Sequence, residues 1–326
     1  TPPCRARAMN GNGAVTGQEA EDADAGLVLS LTGKCSEWTF AAVAIRECAG
    51  KGLGAFACHD IKKGERLLSE LPLIHWNAPA NSSDLQAWAQ LDERVRSLDA
   101  EMRAAFWALM QGGPLWKHPK CARGVWLSNA YPAGDVASCV YGRASRFNHA
   151  CVPSAHCEWN PELGRQTIHA FRDIAQGEEI TVLYCDGYGQ TQAVRQGILH
   201  DNFGFYCRCG TCLLGGKQRA QSDARQQRIG AIYAALPSLC TMEPTQRERS
   251  TRLANPRLRD LVEERSRLVE AEGMVEIGDI LWQLAECCRR VGDHRGVAHW
   301  SSRAAKKAYI ALGDSPVYRK YAAATM

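Results

Sequence analysis

Three cysteines crowd together in Cys207-Arg208-Cys209-Gly210-Thr211-Cys212, the densest chemistry in this chain. Zinc takes four ligands in a tetrahedron, and thiolates suit it well. Three ligands are local here, so the fourth must come from elsewhere. Cys151, Cys157, Cys185 and several histidines are all open to that role on spacing alone. The bland alternative is three buried free thiols, which the crowding and the polar Arg208 argue against. A second group, Arg146-Phe147-Asn148-His149-Ala150-Cys151-Val152-Pro153, places an amide beside an imidazole and close to a thiol. Taken alone it reads as a capping Asn and a satisfied core His. A third, Gly177-Glu178-Glu179-Ile180-Thr181-Val182-Leu183-Tyr184, ends an apolar strand on a phenol. Such a Tyr usually closes a core or a rim with its hydroxyl satisfied.

These groups need a scaffold, and composition supplies one. The chain has 326 residues, 45% hydrophobic and 23% charged, which suits two domains or one large domain with an appendage. Lys and Arg number 39 against 35 Asp and Glu, a net charge of +4 that gives no case for nucleic-acid binding. The fifteen cysteines are odd in number and mostly scattered, unlike a secreted disulfide framework. They point to an intracellular setting, cytoplasmic or nuclear, with one metal site. The longest uncharged apolar runs, such as residues 40–45, are too short to cross a membrane. Arg5 and Arg7 have no apolar stretch behind them, so no signal peptide is expected.

Residues 1–36, poor in large apolar side chains, read as a flexible tail. Thr39-Phe40-Ala41-Ala42-Val43-Ala44-Ile45 reads as one buried strand. Gly50-Lys51-Gly52-Leu53-Gly54 breaks it, and Ala55-Phe56-Ala57-Cys58 resumes. The phrase Asp60-Ile61-Lys62-Lys63-Gly64-Glu65 leads into a strand-like stretch and recurs as Asp173-Ile174-Ala175-Gln176-Gly177-Glu178. One turn chemistry is used twice, with a positive φ expected at Gly64 and Gly177. Residues 84–110 read as one helix from Leu85, Trp88, Leu91, Val95 and Leu98, continued by Ala105, Phe106 and Leu109. Gly112-Gly113-Pro114 stops it. A third region begins near Arg219. Its apolar stripes run through Leu258, Leu261, Val262, Leu268 and Val269; through Ile280, Leu281, Leu284 and Cys288; and through Val297, Trp300, Ala304 and Ala308. Gly273, Gly292-Asp293 and Gly313-Asp314 separate them, the pattern of antiparallel helices joined by short turns.

Four motifs in this order resemble a SET-domain methyltransferase with a post-SET zinc site: the Gly-Lys-Gly-Leu-Gly run, Asn-His-Ala-Cys, Gly-Glu-Glu-Ile ending on Tyr184, and the cysteine triplet. The resemblance is to the SET-and-MYND type, in particular fungal-type proteins without a MYND finger. Only Cys121 lies between Cys58 and Cys139, which leaves no second multi-cysteine module there. The likeness covers residues 38–73 and 129–212, and more loosely the C-terminal helices. It implies an α+β fold: a SET β-fold of small sheets with a threaded segment, a helical insertion, and a C-terminal α-helical, tetratricopeptide-like lobe. The divisions it implies are a tail (1–36), the SET N-terminal part (37–74), the helical insertion (75–128), the SET C-terminal part (129–200), the post-SET zinc segment (201–215) and the helical lobe (216–326).

The resemblance also implies roles. S-adenosylmethionine is the expected cofactor. Lys51, Gly52, Leu53 and Gly54 would pass their backbone along its methionine end, Asn148 and His149 would hold the adenosyl portion, and Asn129 would add a contact. Phe205 would stack on the adenine. Tyr184 would be the catalytic tyrosine, also touching the cofactor, with Tyr141 as a further active-site candidate. Phe203 stands where relatives commonly have a second active-site Tyr. Cys151 would join Cys207, Cys209 and Cys212 around a structural zinc with no open coordination position. Two departures stand out: Ala150 replaces the usual Ser, and Ser154 replaces an Asn that braces the threaded segment. The shorter Ser is expected to reach fewer backbone groups. The implied reaction is in-line methyl transfer to a protein lysine. A small-molecule amine or carboxylate acceptor, and a catalytically inactive binding module, are the alternatives. The implied partner is thus a protein with an acceptor lysine or a small molecule, with no direct nucleic-acid or membrane contact.

Overall fold

The computed structural model describes residues 38–40, 42–77, 85–112, 115, 117–134, 137–185, 187–251 and 254–325. The expected tail and the Gly113-Pro114 stop lie outside these residues. The chain opens with β1 (Trp38–Phe40) and β2 (Val43–Cys48), an antiparallel hairpin with Phe40 opposite Val43. The run expected to form one strand is therefore two. A continuous apolar stretch carries no alternation to mark where the chain reverses. β2 then pairs with β3 (Gly52–Ala57) across a turn in which Gly50 and Gly52 have φ of 73° and 76°. L-residues rarely adopt that region, and glycine does so freely.

After β4 (Arg66–Glu70) and β5 (Ile74–Trp76) the chain enters the helical insertion, α1 (Leu85–Ser97), α2 (Ala100–Ala108) and α3 (Ala122–Asn129). The single helix expected over 84–110 is broken. The Asp99 side chain accepts from the Met102 amide at 2.7 Å and caps a new helix. The apolar spacing runs on because both helices face one core. In that core Trp76 meets the rings of Trp88 and Trp126 at 5.5 and 5.1 Å.

The remaining strands are β6 (Tyr131–Ala133), β7 (Ala137–Val140), β8 (Asn148–His149), β9 (Ala155–Asn160), β10 (Arg165–Ala170) and β11 (Glu179–Val182). They complete three small sheets, ordered β1-β2-β3-β11-β8, β4-β10-β9 and β5-β7-β6. The repeated turn phrases face each other. Ile61 and Ile174 exchange backbone hydrogen bonds at 2.8 and 3.0 Å, and Gly64 and Gly177 have φ of 87° and 80° as expected.

The C-terminal part is helical: α4 (Gln192–Phe203), α5 (Gly216–Thr241), α6 (Gln246–Thr251), α7 (Pro256–Ala271), α8 (Asp279–Val291), α9 (His294–Leu312) and α10 (Pro316–Ala323). The three apolar stripes correspond to α7, α8 and α9. Gly292 ends α8 in the left-handed conformation, and the next residue, Asp293, caps α9. α9 also packs on β10, which seats the lobe on the sheets. α5 buries Ile229, Ile232 and Leu236 on one face, but polar and small residues elsewhere blur the period along its length. The whole is a mixed α+β fold of small sheets and helices. Among the described residues no helix is long and apolar enough to cross a membrane.

Candidate active site and metal centre

β8 and β11 build the site. They run parallel, with Thr181 beside Asn148 and Val182 beside His149. The pairing continues as Ala150 N donates to Val182 O and Ser154 N to Thr181 O, each at 3.1 Å. Ser154 is fully buried, and its Oγ accepts from Thr181 N at 2.9 Å. The substitution expected to loosen this segment still braces it. Upstream, the half-buried Glu70 carboxylate accepts from the amides of Arg143 and Ala144 at 2.9 and 2.8 Å. Burial pushes Glu70 above the usual carboxylate range, and these amides pull it back. Glu70 thereby pins the short turn that delivers Phe147 and Asn148.

Asn148 donates its amide to Leu53 O at 3.1 Å and to Glu179 Oε1 at 2.9 Å. The other Glu179 oxygen takes the Lys51 ammonium at 2.6 Å, and the Cys48 thiol donates to Oε1 at 3.3 Å. A Cβ on Gly54 would lie 2.9 Å from Asn148 Nδ2 and 3.2 Å from Glu179 Oε1. Only glycine lets this strand approach so closely. Lys51, Gly52, Leu53 and Gly54 are thus brought to Asn148 and Glu179. Glu179, which ties them together, was missed. The sequence signal was its place at the start of an alternating strand, where neighbouring Glu178 and Glu179 must face opposite ways.

His149 is engaged at both ring nitrogens. Nδ1 accepts from the Tyr184 amide at 3.1 Å, which puts the ring proton on Nε2, 3.4 Å from Cys151 Sγ. The Tyr184 hydroxyl donates to Phe147 O at 2.9 Å. Burial raises its pKa well above the ordinary tyrosine range, so at neutral pH it is a donor and not a base. Around it stand Phe203, 5.1 Å between ring centres, and Phe205 at 6.3 Å; Phe205 also lies 6.2 Å from His149. Phe203 ends α4, and Gly204 turns the chain with φ 79°.

Tyr141 is fully buried in the sheet core with the Cys139 thiol as its hydroxyl's neighbour, and burial raises its pKa far above the ordinary tyrosine range. Asn129 lies apart from this cluster's hydrogen bonds. Its amide is spent on Met110 O and Val125 O, both at 2.7 Å, which ties α3 to the end of the preceding segment.

The four thiols of Cys151, Cys207, Cys209 and Cys212 lie within 4.8 Å of one another. Cys151 Sγ is 3.4 Å from Cys212 and 4.0 Å from Cys207. Zinc–sulfur bonds of about 2.3 Å in a tetrahedron place sulfurs about 3.8 Å apart. The donor set therefore fits zinc. Cys157 and Cys185, open on spacing, are not in the cluster. Packed this closely the thiols share protons: bonds from Cys151 draw Cys207 and Cys209 down. Arg195, 2% exposed, donates to Gln190 O at 2.6 Å. Burial alone would lower its pKa, but Cys151 and Cys212 outweigh that and raise it. This buried cation offsets thiolate charge. A lone Arg in a polar helix gave no signal of that role.

Residues 52–185 match the family model described as the SET domain. This matched segment runs from β3 through β11 and so includes both strands that build the site. The chain is 31% identical over 195 residues to histone-lysine N-methyltransferase set5 of Schizosaccharomyces pombe, covering 60% of this chain and 58% of that protein. It is 38% identical over 79 residues to histone-lysine N-methyltransferase ATXR4 of Arabidopsis thaliana, 24% of each. It is 33% identical over 86 residues to protein-lysine N-trimethyltransferase SMYD5 of Danio rerio, 24% of this chain and 21% of that one. The chain thus spans little more than half of the first of these relatives and about a quarter or less of the others.

Proposed function

We propose that this protein is a SET-domain methyltransferase that moves a methyl group from S-adenosylmethionine to a lysine of a protein. One observation carries the reading. The Lys51–Gly54 loop, the Asn148–His149 corner, Tyr184 and the Phe203–Phe205 pair, scattered over more than 150 residues of sequence, converge within a SET-matched fold. The relatives named for histone and protein lysines support a protein acceptor over a small molecule, and a histone acceptor would place the chain in the nucleus.

The residues fit the cofactor. Gly52, with only the Met110 side chain near its Cβ position, leaves the space that a close backbone approach needs, while Gly54 lets Asn148 sit against the loop. Lys51 would receive its carboxylate, Asn148 and His149 would flank its adenosyl part, and Phe205 would cover the adenine. S-adenosylmethionine, when bound, supplies an electrophilic methyl on a sulfonium with a good leaving group. The chain's work is then to position and to exclude water. Tyr184 keeps its proton and orients the acceptor amine by hydrogen bonding. Tyr141, packed against Tyr131 in the core, would support the pocket from behind. The apolar ring of Phe203 beside Tyr184 favours the neutral amine, whose ordinary pKa of about 10.4 falls on desolvation. Asn129 serves this site indirectly, holding Met110, whose side chain lies near Gly52.

Zinc would be held by Cys151, Cys207, Cys209 and Cys212 in a purely structural role, fixing residues 203–212 against the Asn148 corner. The α7–α10 helices form the lobe for which a tetratricopeptide-like partner-presenting role is proposed.

The test is transfer of label from methyl-tritiated S-adenosylmethionine to core histones, whole-protein extracts and small-metabolite extracts. Label on protein lysine is expected. Failure of the pure protein to bind the cofactor by calorimetry would leave only the scaffold reading, and label confined to metabolites would replace the acceptor class.

A further inference from the structure

Two cysteines outside the site meet where the C-terminal end of α5 touches α8. Cys240 is the penultimate residue of α5, and Cys287 lies in α8, 47 positions on. Cys287 Sγ donates to the Cys240 carbonyl at 3.9 Å, and each thiol perturbs the other's titration. Arg290, one turn further along α8, donates Nη2 to Cys287 Sγ at 3.1 Å and also to the Cys240 carbonyl. Cys240 is half-buried and Cys287 is 8% exposed, so the pair lies just beneath the surface. The neighbouring thiol in α8 differs. Cys288 is fully buried, and burial pushes it up, with Asp293 adding to the effect. Bonding from Cys240 and the Arg290 cation act the other way on Cys287 and lower it.

The end of α5 has a reason to need a staple. Pro237 sits in its last turns and has no N–H to give the helix. The same helix braces the start of α4. Gln226 and Asp223 accept from the amides of Gly189 and Gln192 at 3.0 and 2.7 Å. α5 therefore joins this cysteine pair to the helix that ends on Phe203.

We infer that Cys240 and Cys287 are a reversible redox pair that closes into a disulfide under a peroxide and fastens the end of α5 to α8. The Cys287 thiolate attacks one oxygen of the peroxide, the O–O bond breaks, and Cys287 becomes a sulfenic acid as hydroxide leaves and takes a proton. The Cys240 sulfur then attacks the sulfenic sulfur, the S–S bond forms, and the sulfenic oxygen leaves as water. Two thiols lose two electrons and two protons, and hydrogen peroxide is reduced to two waters. Arg290 speeds the first step by favouring the thiolate.

This inference is independent of methyl transfer. Its test uses the intact chain treated with a small excess of hydrogen peroxide, with remaining thiols blocked before peptide mapping. A cross-linked peptide joining Cys240 to Cys287 and lighter by two hydrogens is expected, reversed by dithiothreitol, with a rise of several degrees in Tm. Cys240→Ser should stop the cross-link and leave a dimedone-reactive sulfenic acid on Cys287. Cys288→Ser should change nothing. Arg290→Met should slow closure several-fold. If peroxide doses that already oxidise Cys151, Cys207, Cys209 or Cys212 never join Cys240 to Cys287, the inference is overturned. Unchanged closure in Arg290→Met would remove the role given to Arg290.

Discussion

Asn148 and Glu179, 31 positions apart in sequence, are joined by a 2.9 Å hydrogen bond from amide to carboxylate. The bond spans the parallel pairing of β8 with β11, and the same carboxylate holds Lys51 from the β2–β3 turn. One side chain thus fixes three segments of the proposed cofactor corner. Glu179→Ala leaves the Asn148 amide without this acceptor. A hydrogen bond to a charged group contributes about 1.5–3 kcal/mol. The cofactor Kd measured by calorimetry should rise about tenfold or more, with kcat at saturating cofactor much less affected. A variant binding as tightly as the parent would exclude Glu179 from this task.

Tyr184 should behave in the opposite way. Tyr184→Phe removes the hydroxyl but keeps the ring against Phe203. Misplacing a reacting group can cost about a hundredfold in rate. A drop of that order in kcat is expected, with cofactor Kd nearly unchanged. Full activity in the variant would end the catalytic assignment.

The thiol cluster should hold one zinc per chain, read by metal analysis of protein prepared without added metal. Cys151→Ser should lose it, whereas Cys185→Ser should keep it. Because His149 Nε2 contacts Cys151 and Phe205 precedes Cys207 by two residues, stripping the metal should also weaken cofactor binding. A metal content unaffected by Cys151→Ser would refute the four-thiolate set.

The lobe carries a buried ion cluster. Glu276, 5% exposed, is bonded by Arg265 and lies 3.2 Å from Lys307. Removing one partner strands buried charge, which typically costs about 3–5 kcal/mol. Glu276→Ala should lower stability by that order in urea unfolding. A loss under about 1 kcal/mol would mean that water already reaches these groups.

Acid should weaken the join between sheet and lobe through His169. Its ring is buried beside Gly313, and its pKa is lowered from 6.5 to about 4, by burial first and then by Arg66 and His156. The folded state keeps the ring neutral, whereas the unfolded chain protonates near pH 6.5. Stability is therefore complete above pH 6.5, falls as pH drops through that value, and levels off below about pH 4. The loss is bounded at about 3 kcal/mol. His169→Gln should flatten the slope of Tm against pH in this window, and an unaltered slope would assign it to other groups.

Much of the site was legible in the residues. The cysteine triplet announced a thiol cluster able to hold a metal, and the order of the glycine run, Asn148-His149 and Tyr184 announced the SET resemblance that the family model matches over residues 52–185. The turn phrases around Gly64 and Gly177 announced their own geometry, because a positive φ is a local demand. The stripes of α7, α8 and α9 were equally plain, since one buried face imposes a period on its helix. What failed was local in another sense: an apolar run hides a hairpin, and an apolar period hides the cap at Asp99.

Spacing left Cys151, Cys157 and Cys185 open and only the resemblance pointed to Cys151; tertiary structure brought Cys151 to the triplet, made Glu179 the common anchor, and set Arg195 near the thiols. Spacing along a chain can fix which ligands a short loop offers. It cannot say which distant strand will lie alongside, because that is decided by the pairing of β8 with β11 and by the core that holds them together.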